Sequence, residues 1–331
     1  MQERILVYGE NWEGTLPQLL LTDLKSRNFE VKSFDYTLIM PGIRKRSFFE
    51  KVIRKIFYRF YINKINKDLL KTVQVFNPSM IIVAKGIHLS QFTLLCMRSK
   101  SVKLINWNPD DFFNMKNSND NLISSLDLYD LIISSRPHMF DKYYQHGAKD
   151  VLFIDWYYVP SLHFAEDLEK TIDISFVGSW SQYREDFIDS IGKRFIIRGG
   201  GWEKSSSKFK SRHNVDSKIL SQLEMREIFN KSKINLNILT PENFDISNLR
   251  FFEVPASGGL LLTERNSHAL SLLLDKEECL MFSSVTEIQM LLSEWSDSNK
   301  IARSGTHRML TSLHSFHDRV DDMLRHVNNA E

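Results

Sequence analysis

Cysteine is scarce in this chain: of 331 residues only Cys96 and Cys279 are cysteines, far apart and without metal-ligand spacing. That excludes a disulfide framework and a thiolate metal site, and it suits a reducing cytosol. Long apolar runs are missing as well. No stretch approaches the ~18 residues needed to span a bilayer, and the chain runs straight into the strand-like Ile5–Tyr8 with no signal peptide expected. Net charge is only +2, so no global field argues for a nucleic-acid partner. A G-x-G-x-x-G fingerprint is absent, which argues against a nicotinamide dehydrogenase. Gly9 and Gly14 have P-loop spacing, but Thr15 stands where that motif needs lysine. No Asp-x-Asp pair of the cation-chelating kind lies in a suitable loop, so metal independence and no cofactor are expected. Repeats of solenoid period and low-complexity tracts are also lacking.

What is present is an ordinary soluble composition, 42% apolar and 25% charged, in a chain too long for one comfortable core. Short apolar runs bounded by Gly, Pro or Asp alternate with helical patterns. Strands are expected at Arg4–Tyr8, Phe29–Tyr36, Met80–Ala84, Lys103–Trp107, Leu131–Ser134 and Val151–Ile154. After the polar stretch Glu166–Lys170 the pattern restarts, with strands at Ile172–Val177, Phe195–Arg198, Ile234–Leu239, Leu260–Thr263 and Leu280–Phe282. Runs apolar throughout belong to parallel strands buried on both faces, and strand–helix alternation gives doubly wound sheets. The expected fold is therefore α/β, with two Rossmann-like domains, 1–165 and 166–305, and a terminal helix over 306–331 packing back on the first. Ligands would sit at the carboxyl ends of the strands, in the cleft between the domains.

The most informative segment is Asp245–Glu264, DISNLRFFEVPASGGLLLTE. Asp245 and Glu253 stand about two helical turns apart, so one helix can present both carboxylates along a side. Ser247 is placed to cap that helix beside Asn248, leaving free N–H groups for an anion, and Arg250 supplies a fork suited to phosphate oxygens. An ordinary amphipathic helix has the same spacing. Gly178-Ser179 directly follows a strand, where backbone amides can face a phosphate, with Arg184 about a turn further on. Gly199-Gly200-Gly201 ends the next strand as a close-approach loop, with Gly200 at its centre, before a Lys/Ser-rich loop.

In the first half, Asp110 and Asp111 lie just past a strand end, in Asn-Pro-Asp-Asp. They can serve as a general base toward a hydroxyl, or merely as turn and cap residues. Glu10, Trp12 and His88 follow other strand ends and are candidates for acceptor contacts, Trp12 as an aromatic platform. From Arg44 to Lys71, ten basic residues face only Glu50 and Asp68, with Phe49, Ile53, Ile56, Phe57, Phe60, Ile65 and Leu69 interleaved at helical spacing. Such a helix can lie on an anionic membrane, placing the protein peripherally on the inner face, or turn its apolar side to the core.

With these residues in view, the chain resembles bacterial glycosyltransferases of the GT-B fold, in the group-1-like branch that includes the spore maturation protein CgeB. The matching segments are Ile174–Ser179, Arg198–Trp202, Ile234–Asn237 and, most specifically, Ser247–Thr263. In related retaining enzymes two glutamates with seven residues between them flank the donor; the second holds the ribose, and Glu253 falls on it. The first acts near the donor sugar and is Asp245 here, a shorter side chain than the pattern has. Arg184 falls near that family's pyrophosphate-binding basic residue. The resemblance implies sugar transfer from a nucleotide-sugar to a surface polysaccharide, lipopolysaccharide or lipid-linked glycan. A nucleotide-sugar epimerase, or a non-catalytic binding or coat-assembly protein, would share the fold.

Overall fold

The structure, a computed structural model, describes residues 3–43, 48–98, 102–115, 117–240, 246–294 and 298–329. It divides into two compact units, Met1–Asp155 with Val320–Glu331, and Trp156–Arg319.

The first unit runs β1 (Arg4–Tyr8), α1 (Leu16–Ser26), β2 (Glu30–Phe34), α2 (Phe48–Ile56), α3 (Tyr58–Phe76), β3 (Met80–Ala84), α4 (Gln91–Arg98), β4 (Lys103–Trp107), α5 (Asp120–Ile123), β5 (Leu131–Ser134), α6 (Phe140–Gln145) and β6 (Val151–Phe153). Its six strands are all parallel, in the order β2-β1-β3-β4-β5-β6. Every residue of β3 and β5 is buried, as continuous apolar runs require of a sheet covered on both faces. Leu6, Tyr8, Ile81, Val83, Leu104 and Ile132 form a core with Ile65, Leu69 and Val73 of α3 and Leu94 and Met97 of α4.

The basic segment expected as one helical region is two helices, with the chain turning at Phe57 (φ −99°, ψ 22°). From Tyr61 on, α3 packs inward, and it ends at Asn77 in the left-handed conformation that asparagine tolerates.

The second unit runs β7 (Ile172–Val177), α7 (Gln182–Ile191), β8 (Ile196–Arg198), α8 (Ser207–Arg212), β9 (Asn214–Asp216), α9 (Gln222–Lys231), β10 (Ser232–Leu236), α10 (Leu249–Ala256), β11 (Leu261–Glu264), α11 (Ser267–Leu272), β12 (Leu280–Phe282), α12 (Val285–Glu294) and α13 (Ser298–Thr311). The strand order is β12-β11-β10-β7-β8-β9, again all parallel. One core joins Ile174, Phe176, Ile197 and Leu236 to Trp202, Phe209 and Ile188. Another joins Val177, Leu261 and Met281 to Phe229, Phe251, Phe252 and Met309.

The Lys/Ser-rich stretch after Gly201 is not simply a loop. Ser206 accepts a hydrogen bond from the Phe209 N–H and starts α8, and β9 then adds a sixth strand. A last helix, α14 (Phe316–Asn329), follows α13, where one continuous helix from Thr306 was expected. The break has a cause: Ser315 and Asp318 bond each other reciprocally, side chain to backbone N–H, as a new helix start. Within the first unit, the end of α14 meets Arg27 through Asp321 and Asp150 through His326 (2.6 Å). Both cysteines are free thiols.

Candidate functional site

In the second unit the chain goes from β7 outward to β8 and β9, then returns to β10 on the other side of β7. The carboxyl ends of β7 and β10 therefore flank a topological switch point, where open α/β sheets bind ligands. Two arginines meet there. Arg184, from the first turn of α7, donates Nη1 to the Ser179 carbonyl (2.9 Å) and Nη2 to the Ile238 carbonyl (3.2 Å), tying the ends of the two strands. Arg250, from the start of α10, donates Nε to the Val177 carbonyl (3.1 Å), so the two guanidiniums bracket Gly178. Burial and the nearby Arg184 charge push Arg250 down to about 10.

The rest of the Arg250 fork faces protein: Nη1 pairs with Glu253 and Nη2 lies 3.1 Å from the Met225 sulfur. Glu253 is 2% exposed, and its other oxygen is 3.7 Å from His163 Nε2. In this arrangement the carboxylate faces Arg250 and His163 rather than solvent. His163 Nδ1 accepts from the Val159 N–H (2.9 Å), which assigns the ring proton to Nε2, and burial lowers the ring to about 4. The pair next to it is thus a neutral imidazole and an ion-paired carboxylate.

The helix cap differs from the expected one. Asn248, not Ser247, caps α10: its Oδ1 accepts from the Phe251 N–H (3.2 Å), while Ser247 is buried just before it. The cap itself is held, because Asn248 Nδ2 donates to Asn237 Oδ1 (2.9 Å) and Asn237 Nδ2 to Thr263 Oγ1 (3.1 Å). Asp245 lies outside the described residues.

Of the glycines, Gly178 donates its N–H to the Arg198 carbonyl (2.9 Å), and Ser179 beside it is exposed. The crowded member of the triple is Gly199 rather than Gly200: φ is +134° at Gly199 and its Cβ would stand 2.4 Å from the Gly178 oxygen. At Gly200 the nearest atom is the Ile219 side chain at 3.5 Å, so backbone crowding does not require glycine there.

Glu264, at the end of β11, was not singled out from the sequence. Both carboxylate oxygens accept from the Leu239 N–H (2.9 and 3.0 Å), and burial pushes the group up to about 7 against the pull of that bond and of Arg184. A raised carboxyl pKa makes the folded state hold a proton that the unfolded chain has released. Stability therefore falls as pH rises from about 4.5 to about 7, and the cost persists above. Glu264→Gln is expected to gain about 1–3 kcal/mol at pH 8 and almost nothing at pH 4.5, read by urea unfolding at both values. Equal effects at the two pH values would contradict this assignment.

In the first unit the switch point lies between β1 and β3. A cavity of about 190 Å³ there is lined by Glu10, Thr15, Pro17, Tyr36, Lys85 and Pro109, among others. Glu10 accepts from the Tyr36 hydroxyl (2.6 Å). Lys85, at φ +65°, is a non-glycine residue in the left-handed region, and its ammonium pairs with Asp110 (2.6 Å). Such strain gathers at functional positions. Asp111 Oδ1 accepts from the Phe113 N–H (2.9 Å), the turn role that its neighbours suggested. Trp12 (38% exposed) and His88 are not in the cavity lining. His88 is half-buried, 3.3 Å from the Tyr58 hydroxyl and edge-on to the Tyr36 ring, and burial with Arg54 nearby lowers it to about 4. Lys85 and Tyr36 carried no sequence signal beyond standing near strand ends.

A larger cavity, about 830 Å³, is lined by Ala165–Lys170, Gly258 and α13. Those segments lead into β7 and β11 at the strands' amino ends, away from the switch point between β7 and β10.

Residues 181–325 match a family model described as Glycosyl transferase-like. No curated protein sequence matches the chain. Among solved structures, sucrose-phosphate synthase from Thermosynechococcus elongatus is similar over 100% of both chains, with TM-score 0.67 at 10% identity. Anabaena HepE, in complex with UDP and glucose, is similar over 99% of both chains, with TM-score 0.63 at 11% identity. A trehalose-6-phosphate structure from E. coli bound with UDP-2-fluoro glucose is similar over 99% of this chain and 98% of that one, with TM-score 0.64 at 12% identity. The chain has the GT-B glycosyltransferase fold, two parallel six-stranded α/β sheets in succession.

Proposed function

We propose that the protein is a glycosyltransferase, hexosyl or deoxyhexosyl, that moves a sugar from a nucleotide-sugar to a glycan acceptor, within the CgeB-type branch. The observation that carries this reading is the bracket of Arg184 and Arg250 around Gly178 at the switch point between β7 and β10. Two guanidiniums there, with Glu253 paired to one of them, leave positive charge that a diphosphate can neutralise. The leaving nucleoside diphosphate develops negative charge in the transition state, and preorganised cations are the main means of stabilising it. Arginines taking that part is what makes the reading metal-independent.

Gly178, Ser179 and Asn248 place backbone at the same strand ends, and Glu253 is assigned to the ribose once the Arg250 fork turns to phosphate. A uridine donor is favoured because the similar HepE structures are complexes with UDP or UDP-glucose. In the first unit we assign acceptor contacts to Glu10 and the cavity beside it, with Trp12 and His88 nearby. If the reaction inverts, Asp110 or Asp111 takes the acceptor proton; Lys85 already orients Asp110. If it retains, the donor phosphate can take the proton. The acceptor is assigned to a surface polysaccharide, lipopolysaccharide or lipid-linked glycan.

Thermal unfolding with UDP, GDP, ADP and their sugar derivatives tests the reading. A ligand at 100-fold its Kd adds about 2.7 kcal/mol and is expected to raise Tm by about 2–4 °C. Release of nucleoside diphosphate from the bound donor would then separate an enzyme from a silent binder. If no nucleotide in the panel shifts the midpoint, the donor-site assignment fails.

A further inference from the structure

Helix α2 turns its apolar side outward. At roughly 100° per residue, Phe48, Phe49, Val52, Ile53 and Ile56 fall on one side of it, and all five are exposed, Phe49 at 77% and Ile56 at 68%. None of its residues is buried. The stripe continues through exposed Phe57 and Phe60 into α3. On the polar side Glu50 and Arg54 are half-buried against protein, while Lys51 and Lys55 are exposed. Glu50 accepts from the Gly42 N–H (3.1 Å), and that loop lies so close that a Cβ on Gly42 would stand 2.9 Å from the Lys51 nitrogen. A surface helix normally buries its apolar face, and contiguous apolar patches left outward mark a binding surface.

Charge says what covers this one. Residues 48–67 hold Lys51, Arg54, Lys55, Arg59, Lys64 and Lys67 against Glu50 alone. Lys51 and Lys55 border one edge of the stripe, where long side chains can keep their ammonium groups at headgroup level while the rings enter the acyl boundary. A protein partner of equal apolar character would not require this cationic border; an anionic bilayer does. No helix among the described residues is long and apolar enough to cross a membrane, so the contact is parallel to the surface.

We propose that α2, with the start of α3, is an interfacial anchor that lays its Phe/Ile stripe into an anionic lipid surface. The anchor is independent of the donor-site reading. It also narrows the basic segment: from Tyr61 onward α3 belongs to the core of its unit, and only residues 48–60 are free to insert.

The full chain is floated with phosphatidylcholine vesicles, with and without about 30% phosphatidylglycerol, at low and high salt. Binding is expected only to the anionic vesicles and to weaken with salt. Phe49→Asp/Ile53→Asp/Ile56→Asp is expected to lower the partition coefficient at least about tenfold with an unchanged Tm, because no buried contact is removed. Phe49→Trp supplies a gain of signal: the added tryptophan emission shifts to the blue on anionic vesicles alone. Equal binding to neutral vesicles, or none to either, overturns the proposal. So does a dimer in velocity sedimentation that the triple variant abolishes, which would assign the stripe to a second copy of the chain.

Discussion

Arg250→Met is expected to lower affinity for a nucleoside diphosphate by about 100-fold and to destabilise the fold by about 3–5 kcal/mol. The two losses have different origins. Methionine fills much of the volume but leaves Glu253, 2% exposed, without its cation, and an uncompensated buried charge is among the costliest single changes. The neighbouring imidazole cannot take over, since burial holds His163 near 4 and it stays neutral at pH 7.

The affinity loss follows from removing one of two cations that bracket Gly178 at the switch point, where water is partly excluded and charge interactions are strong. A double variant, Arg250→Met with Glu253→Leu, separates them. Replacing a buried pair by apolar groups is often neutral or better, so most stability should return while nucleotide affinity does not. Titration calorimetry for the nucleotide and urea unfolding for the fold give the two readouts. Full affinity in the double variant would remove this pair from the donor site and, with it, the main support for the functional reading.

Why some of this could be read in advance and some could not is a matter of where the signal lies. Met80–Ala84, Lys103–Trp107, Leu131–Ser134 and Ile172–Val177 are strands at the expected bounds, because strands buried on both faces over most of their length carry mainly apolar side chains there. β9 gives no such signal: Asn214–Asp216 is three residues long, sits at the sheet edge, and has one apolar side chain. The split of α2 from α3 is hidden too, since Phe57 continues the apolar spacing across the turn.

Within the site, Gly178, Arg184 and Arg250 are visible as a glycine at a strand end and basic residues at the starts of two helices. Glu264 and His163 are not. Their character comes from what the folded chain stacks around them, which moves one carboxyl up to about 7 and one imidazole down to about 4. Ser247 was expected to cap α10, and asparagine caps a helix as readily as serine; the bond that Asn248 Nδ2 donates to Asn237 holds Asn248 in that place. The outward stripe of α2 was legible only as one of two possibilities, because periodicity fixes that a helix has an apolar side but not which way that side turns.

The glycine triple offers the other large effect, through a contrast between neighbours. Gly199→Ala is expected to destabilise the second unit by about 3–5 kcal/mol. At φ +134° an L side chain is strained whatever space surrounds it, and the added Cβ would stand 2.4 Å from the Gly178 oxygen and 2.8 Å from its carbonyl carbon. Those are backbone atoms, so relief requires β7 and β8 to separate at their carboxyl ends. The bonds at risk are the Gly178 N–H to the Arg198 carbonyl and the Gly199 N–H to the Asp216 carbonyl. The same movement would displace the Ser179 carbonyl that Arg184 holds, so nucleotide affinity should fall together with stability.

Gly200→Ala, one residue on, meets only the Ile219 side chain at 3.5 Å and has no left-handed φ. It should be neutral, or gain about 0.4–1 kcal/mol by restricting the unfolded chain. Its effect on nucleotide binding then isolates the remaining reason for a glycine there. If the ligand approaches this backbone closely, affinity falls in a fully stable protein; if it does not, Gly200 leaves the donor site and the crowding at Gly199 alone explains the motif. Comparable stability losses in the two variants, measured by urea unfolding, would show that the β7–β8 turn is not built as described.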